Sequence, residues 1–380
     1  MKLSCLQENL NRGLNIVGRA VATRTTLPVT QNVLMITEAG RLKLVATDLE
    51  MAISTWIGAK IEEEGKITIP ATLLTEFVHS LQNDKIDMTL LPKSKTMELK
   101  CARVSARISG VDAEEFPNVD LVEAGIPVSV SAQALHQAIH QVVFAAAHDE
   151  SRPILTGIDA IFDGNSLTLA ATDGFRLAIY KLVLEATVSE KVEAIIPART
   201  IAELDRLLGD EKDDFSVSIH INRLKNQVFF RLSNTLIVSQ LLQGNYPQYR
   251  QLVPSTVEAK ATVEVAAFLR AVKTAAIFSN IIRLQVVPGD PGKMVISARS
   301  DDYGDNVGEI EAVVDKESKV AFDYKYLQEV LDVLDVLPWG KVTQEMNGSS
   351  NPAVLKPEGS DYLYVIMPMY VPDVRAMVTW

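Results

Sequence analysis

Two carboxylates invite a reading as a catalytic pair: Asp48 in LVATDLEMAI (44–53) and Asp173 in LAATDGFRLAI (169–179). Paired carboxylates held at different pKa values can act as general acid and base. Their setting points elsewhere. Both follow a threonine between two apolar runs, in one motif repeated 125 residues apart. Asp side chains bond their own backbone in tight turns. Asp173-Gly174 is also a strong hairpin signal, because Gly takes positive φ without a Cβ penalty. Turn formation is therefore expected at both. His136 and His140 have the one-turn spacing of a metal-ligand pair. No third ligand is indicated, and neither Cys5 nor Cys101 lies near them in sequence. The chain has no Gly-rich phosphate loop, HExxH, CxxC or GxSxG, and GDPGK at 289–293 has a turn's spacing rather than a Walker loop's. The expectation is no catalytic residue, no metal and no cofactor.

The elements around these residues repeat. A short strand at Lys2–Cys5 leads into LQENLNRGLNIVGRAV, where Leu6, Leu10, Leu14, Val17 and Val21 recur at helical spacing. Strand-like runs follow, then KITIP at 66–70, whose Pro suits a helix start, and the amphipathic ATLLTEFVHSLQ. The second segment follows the same order: SAQALHQAIHQVVFAA from Ser131, the ATDGFRLA hairpin, EAIIP at 193–197, and ARTIAELDRLLGD. Pro70 and Pro197 stand 127 residues apart, and Phe116-Pro117 and Tyr246-Pro247 stand 130 apart. The third segment, with AAFLRAVKTAAIFS and DYKYLQEVLDVL, is looser, and its polar turn at Arg299–Asp305 lacks the Thr-Asp motif. The reading is three copies of a doubled strand–helix–strands unit, at 1–121, 122–254 and 255–371, with an extension at 372–380. Six helices are too few to wrap both faces of such sheets, so the class is α+β with helices on one side.

The 380 residues are 47% hydrophobic and 22% charged, as in a soluble globular protein, with a net charge of −11. No stretch resembles a signal peptide or an 18-residue apolar span, and two isolated cysteines suit a reducing cytoplasm. The acidity disfavours a tight static nucleic-acid binder. The helices depart from it. The first five carry Arg12, Arg19, Arg199, Arg206, Arg270 and Lys273 against Glu8, Glu76, Glu203 and Asp205, while the whole chain has 37 basic against 48 acidic residues. The sixth reverses the trend, with Asp323, Glu329, Asp332 and Asp335 against Lys325.

TDLEM (47–51), EFPNVD (115–120), ATDGFRLA (171–178), GNYPQYRQLVP (244–254) and YVIMPM (364–369), in this order, resemble the bacterial DNA polymerase III β-subunit family, the sliding clamps, from Met1 to about Val371. The resemblance implies a head-to-tail homodimer: a closed ring lined by helices, with sheet outside. Such a ring encircles double-stranded DNA without sequence preference, confers processivity and catalyses nothing. The implied partners are the polymerase III catalytic subunit, the clamp loader and other proteins with clamp-binding motifs. The implied partner-peptide pocket comprises Leu155, Thr172, Gly174, Phe175, Arg176, Leu177, Pro247, Val365, Met367, Pro368 and Met369. The implied DNA-facing set is Arg12, Arg19, Arg24, His136, His140, His148, Arg199, Arg206, Arg270 and Lys273. At the dimer seam Arg103 and Ile108 should meet Ile277 and Phe278, with Asp301, Asp302 and Asp305 near Arg103. Position 175 is Phe where the family often has His, Gln251 replaces a frequent Arg, and Asp149 stands where a neutral residue can touch DNA. The tail 372–380 is expected to lie near the pocket through Met377 and Trp380 and to compete weakly with partner peptides. The competing classes are an enzyme on repeated α+β domains and a static DNA-binding regulator.

Overall fold

A computed structural model describes residues 1–119, 125–149, 151–210, 215–337 and 339–371. The extension 372–380 and the boundary at 121/122 fall outside the described residues. Six half-units follow one another. The first is β1 (Lys2–Leu6), α1 (Gln7–Val17), β2 (Asn32–Glu38), β3 (Arg41–Thr47) and β4 (Met51–Gly58). The second is β5 (Lys60–Glu63), β6 (Lys66–Pro70), α2 (Ala71–Ser80), β7 (Lys85–Leu91), β8 (Thr96–Cys101) and β9 (Val104–Ser109). The third is β10 (Ile126–Ser131), α3 (Ala132–His140), β11 (Gly157–Asp163), β12 (Ser166–Thr172) and β13 (Arg176–Val183). The fourth is β14 (Val192–Pro197), α4 (Ala198–Gly209), β15 (Ser216–Asn222), β16 (Gln227–Arg231) and β17 (Thr235–Gln240). The fifth is β18 (Ala259–Glu264), α5 (Val265–Ala275), β19 (Ile281–Val287), β20 (Gly292–Ser300) and β21 (Gly304–Val314). The sixth is β22 (Ser318–Asp323), α6 (Tyr324–Asp335), β23 (Lys341–Met346), β24 (Ala353–Pro357) and β25 (Tyr362–Ile366).

The chain groups into two compact units that cut across the threefold repeat: 1–133 with 184–188 and 203–241, and 134–183 with 189–202 and 242–380. Sheet pairing explains the regrouping. In the first unit, β4 of the first half-unit pairs with β17 of the fourth, Ser54 opposite Leu236, inside an eight-stranded sheet ordered β10-β15-β16-β17-β4-β3-β2-β6. A five-stranded sheet, β5-β1-β7-β8-β9, completes that unit. In the second unit, β13 pairs with β25, Leu177 opposite Val365, inside a twelve-stranded sheet ordered β14-β11-β12-β13-β25-β24-β23-β18-β21-β20-β19-β22. At both junctions the last strand of one half-unit meets the last strand of another. Two last strands remain. β9 is a sheet edge, and β21 pairs along β20 but meets β18 only through Val313 and Val314.

The helices bury most of the faces their spacing predicts, but Leu6, expected on the first helix, ends β1 and is 47% exposed, and Leu73 on α2 is 52% exposed. In α1, Leu10, Gly13, Leu14 and Val17 are buried. A Cβ at Gly13 would lie 2.9 Å from Leu44 and 3.0 Å from Ile57, so α1 sits tight on the face of β3 and β4 that carries these residues. Strand alternation sends Val45, Ser54 and Trp56 to the opposite face. Pro70 and Pro197 are the last residues of β6 and β14, one position ahead of their helices rather than inside the first turn. The helix expected from Ser131 to Ala146 stops at His140 and continues as a single 3-10 turn at Val143–Ala145. The ladder tightens at Val142, whose N–H bonds the Ile139 carbonyl three residues back at 2.9 Å, and beyond it the Phe144 carbonyl accepts a hydrogen bond from Arg176 Nη2 at 2.8 Å. Both cysteines are buried, and burial pushes the Cys5 thiol up to about 12, which leaves it unreactive.

Asp48 and Asp173 build turns. Asp48 Oδ1 accepts from the backbone N–H of Glu50 and Met51, and Asp173 Oδ1 from those of Phe175 and Arg176. The turn needs a left-handed residue after the aspartate. Gly174 supplies it at φ +94°, but the first copy uses Leu49, at φ +80° and 53% exposed. A side chain in that region costs about 1–2 kcal/mol. Leu49→Gly is therefore expected to stabilise the protein by about 0.5–1 kcal/mol, after the entropy glycine adds to the unfolded chain. Gly174→Ala, whose Cβ would lie 2.6 Å from Arg152 Nη1, is expected to cost about 1–2 kcal/mol. Denaturant unfolding of the two variants, read for opposite signs, checks both.

Candidate peptide-docking site

The β12–β13 hairpin and the chain after β25 share one end of the twelve-stranded sheet. The Met367 N–H donates to the Phe175 carbonyl at 2.9 Å, which carries the β13–β25 pairing past the last strand residue. Leu177 and Val365, opposite each other in register, are buried in a cluster with Ala170, Ile195, Tyr246, Tyr249 and Val354. Ile154, Leu242 and Val253 pack against it, half-buried. Above this floor Phe175 and Met367 are 54% and 40% exposed, Pro247 is exposed, and Pro368 and Met369 are half-buried. Leu155 and Thr172 are buried nearby. A buried aliphatic floor under an exposed aromatic and a flexible thioether can take an apolar peptide side chain.

Arg176 has a different place. Its side chain is 3% exposed. Nε donates to Asp173 Oδ2 at 3.1 Å, Nη2 donates to the Phe144 carbonyl, and Nη1 pairs with Glu329 on α6. The guanidinium carbon lies 4.8 Å from the Tyr326 ring centre and 5.4 Å from that of Phe144, whose ring stacks on Tyr364. Arg176 thus locks the hairpin to α6 from behind and presents little charge to a ligand.

Two tyrosines hold up the floor. The Tyr246 hydroxyl accepts from the Thr172 N–H and donates to the Gly157 carbonyl, tying the Tyr-Pro segment to β11 and β12. The Tyr249 hydroxyl donates to Asp159 Oδ2 at 3.1 Å. Asp159 is buried, and burial, then the charge of Glu193, raises its carboxyl to about 6. The spacing of Tyr246-Pro247 from Phe116-Pro117 marks this segment in the sequence. Ile154, Leu242 and Val253 carry no such mark, because their burial depends on how the chain returns over β11 and β14.

Of the other predicted residues, Arg12 on α1 and Arg206 on α4 line one cavity of about 340 Å³. Arg12, Arg19, Arg24, His148, Arg199 and Arg270 are exposed. Arg206 pairs with Glu203 at 3.0 Å and Asp210 at 3.4 Å, and Lys273 with Asp332 at 2.8 Å. His136 and His140 are half-buried, with ring centres 6.1 Å apart, and no group of three or more metal-ligating side chains occurs among the described residues. Asp149 turns to Ser151, accepting from its N–H at 2.9 Å and from its hydroxyl. Arg103 and Ile277 are exposed, Phe278 half-buried and Ile108 buried.

Two variants test the supports. Arg176→Met would leave half-buried Asp173 and Glu329 without their shared cation and the Phe144 carbonyl without its donor, so a loss of about 2 kcal/mol is expected in denaturant unfolding, and Arg176→Lys should not rescue it because one ammonium cannot replace the fork. For Asp159 the folded pKa is raised, so the native state favours the proton and this residue's contribution falls as pH rises from about 4 through 6. Relative to Asp159→Asn, which keeps an acceptor for Tyr249, the wild type should lose about 2 kcal/mol between pH 4.5 and 7.5. Paired unfolding curves at the two pH values check this.

Family models of the N-terminal, central and C-terminal domains of the DNA polymerase III β subunit match residues 1–120, 129–248 and 250–370. A β sliding clamp of Synechococcus elongatus is 32% identical, with 97% of this chain and 99% of the relative covered. One of Staphylococcus aureus is 28% identical over 92% and 93%. Among solved structures, a DNA polymerase sliding clamp from Bacillus subtilis superposes with a TM-score of 0.91 at 25% identity, covering 98% and 99% of the two chains. The β subunit from Pseudomonas aeruginosa gives 0.89 at 27%, covering 98% and 100%. The fold is the three-domain α+β fold of these clamps, and the chain belongs to the DNA polymerase III β-subunit family, the non-catalytic β sliding clamps.

Proposed function

We propose that the chain acts as a dimeric ring closed head to tail around duplex DNA, and that it tethers the polymerase III catalytic subunit, the clamp loader and other partners through the Phe175–Met367 surface. The three segments 1–121, 122–254 and 255–371 are its clamp domains. The observation that carries this is the pair of last strands left over. Within one chain β4 meets β17 and β13 meets β25. β9 and β21 are the two without such a mate, and pairing β9 of one copy with β21 of another continues the same rule. Both ends of such a seam carry accessible side chains: Arg103 and Val104 beside β9, and Ile277 (75% exposed), Asp301, Asp302, Asp305 and Val307 on the other side.

The charge distribution suits sliding. Each cation–phosphate contact strengthens non-specific binding. Arg206 and Lys273 already have carboxylate partners, so their pull on phosphate is muted, while the acidity of the whole chain discourages stray binding to nucleic acid. Retention then comes from topology rather than grip. The docking floor supplies apolar contact, with Phe175 as the aromatic wall and Met367 able to adapt to different anchors. No helix among the described residues is long and apolar enough to cross a membrane.

The deciding experiment is retention on DNA. The protein is loaded onto nicked circular DNA by a bacterial clamp loader, freed of unbound protein by gel filtration, and half the DNA is then linearised. Retention on circles with loss from linear molecules is expected; equal retention on both would mean contact-based binding and overturn the ring. Ile277→Asp places a charge at an exposed position and should leave the fold intact while reducing the mass in solution from twice 41.7 kDa to 41.7 kDa. Light scattering checks this, and a variant that remains dimeric would move the seam elsewhere.

A further inference from the structure

The β4–β17 junction is the repeat counterpart of the β13–β25 junction that carries the docking surface. The Gln240 N–H donates to the Glu50 carbonyl at 2.9 Å, as the Met367 N–H does to that of Phe175. Ala52 stands opposite Val238 where Leu177 stands opposite Val365. The backbone plan is kept and the side chains are not: Glu50 replaces Phe175, Gln240 replaces Met367 and the small Ala52 replaces Leu177. A cavity of about 100 Å³ lies here, lined also by Met51, Asn118, Gln227 and Pro117, which stands 130 residues before Pro247. Met51, Ala52 and Val238 are its buried apolar wall. Gln227 Oε1 is buried with no hydrogen-bond partner among the described residues, and buried polar atoms are ordinarily paired. Glu50 is exposed, makes no ion pair among the described residues, and is the one charged side chain among the described lining residues. The cations of this face, Arg41, Lys43 and Arg231, gather around Trp56, four residues along β4 from Ala52, and none lines the cavity. Arg223 and Lys225, in the turn before β16, have interactions of their own.

We propose that this junction docks an extended segment of a partner protein through one lysine side chain. The ammonium bonds Gln227 Oε1 and the Glu50 carboxylate, and the methylene stem lies on Ala52 and Val238, because lysine buries its stem along apolar surface while its charge stays with polar partners. An ammonium only donates, so it suits an unpaired carbonyl oxygen beside a carboxylate. An aliphatic anchor would leave Gln227 Oε1 unpaired, and an acidic one would also face Glu50. That the occupant is a peptide rests on the docking reading of the Phe175–Met367 surface; that its anchor is cationic rests on Glu50 and Gln227. One backbone plan thus serves two anchors, apolar at β13–β25 and charged at β4–β17.

The test uses the full chain with isotope-labelled methionine methyl groups, read by NMR. Met51 lines the cavity and Met367 belongs to the other surface, so the two resonances, assigned through Met51→Leu and Met367→Leu, report the two junctions separately. The probe is a capped peptide of alanine and serine around a central lysine. At low salt a saturable shift of the Met51 methyl is expected while that of Met367 stays in place. Glu50→Gln should weaken binding about tenfold, the scale of one lost hydrogen bond to a charged group, with an unchanged thermal midpoint because Glu50 is exposed. Gln227→Leu should weaken it to a similar degree. Norleucine in place of the lysine keeps the stem and should abolish the shift. Absence of a saturable Met51 shift, or equal affinity of the norleucine peptide or of Glu50→Gln, would overturn the proposal. Equal binding of n-butylammonium would make the cavity a small-amine site and also overturn it. A peptide with an apolar anchor, run beside the first, should shift Met367 and leave Met51 unmoved. A Met51 shift as large as that from the lysine peptide would overturn the cationic selection, whereas silence at Met367 counts against the Phe175–Met367 reading and leaves an observed lysine response at Met51 standing.

Discussion

Backbone pairing between the last strands of different half-units is the constraint on which the rest of this molecule depends. A last strand leaves a row of N–H and C=O groups on one side, and an edge of that kind must be paired, covered or kept short. Here β13 takes β25 and β4 takes β17. Each pairing fuses sheet from different repeats, which is why the compact units ignore the repeat boundaries. The β13–β25 pairing also sets the proposed docking site: Leu177 and Val365 come to the floor because they are register partners, and the hydrogen bond from Met367 to Phe175 places these two exposed residues side by side.

The proposed site is then stiffened by buried groups beneath and behind it. Arg176 stands behind the hairpin with its charge held by Asp173 and Glu329 and its flat faces near Tyr326 and Phe144. Tyr246 and Tyr249 lie below, bonded to the Thr172 N–H, the Gly157 carbonyl and Asp159. Such a frame limits the ordering cost of any binding at the proposed site, because rigid backing leaves Phe175 and Met367 as the side chains free to rearrange.

The two junctions share a backbone plan and differ in chemistry. The Thr-Asp turn recurs with the same side-chain-to-backbone hydrogen bonds in both. The second copy places glycine at the left-handed position, with the Arg152 guanidinium beside it and exposed Phe175 next in the chain. The first places a leucine there, and on the adjoining face a tryptophan ringed by cations. Equivalent positions in a repeated fold thus carry different side chains on one backbone plan.

Much of this was legible in the chain itself. The 125-residue echo of Thr-Asp, the prolines ahead of the second helices and the aromatic-Pro segments expose the doubled, repeated unit, because turn chemistry and hydrophobic period are local properties. The turn role of Asp48 and Asp173 follows from the same locality. Burial and pairing could not be read that way. Arg176 sits in the ATDGFRLA motif beside exposed Phe175, yet its carboxylate partner on α6 lies 153 residues away, and that contact decides that it braces the site. Another arm of the same guanidinium holds the Phe144 carbonyl, a contact from β13 to the segment after α3 that no local pattern announces. Ile154, Leu242 and Val253 join the floor only because the chain folds back over β11 and β14. Sequence periodicity determined the order and type of the elements and most of their apolar faces, but not the end of α3, which stops at His140. Only the tertiary structure decided which last strands meet, because strand pairing joins segments far apart in the chain and its free energy depends on register and covering neighbours, which no local pattern records.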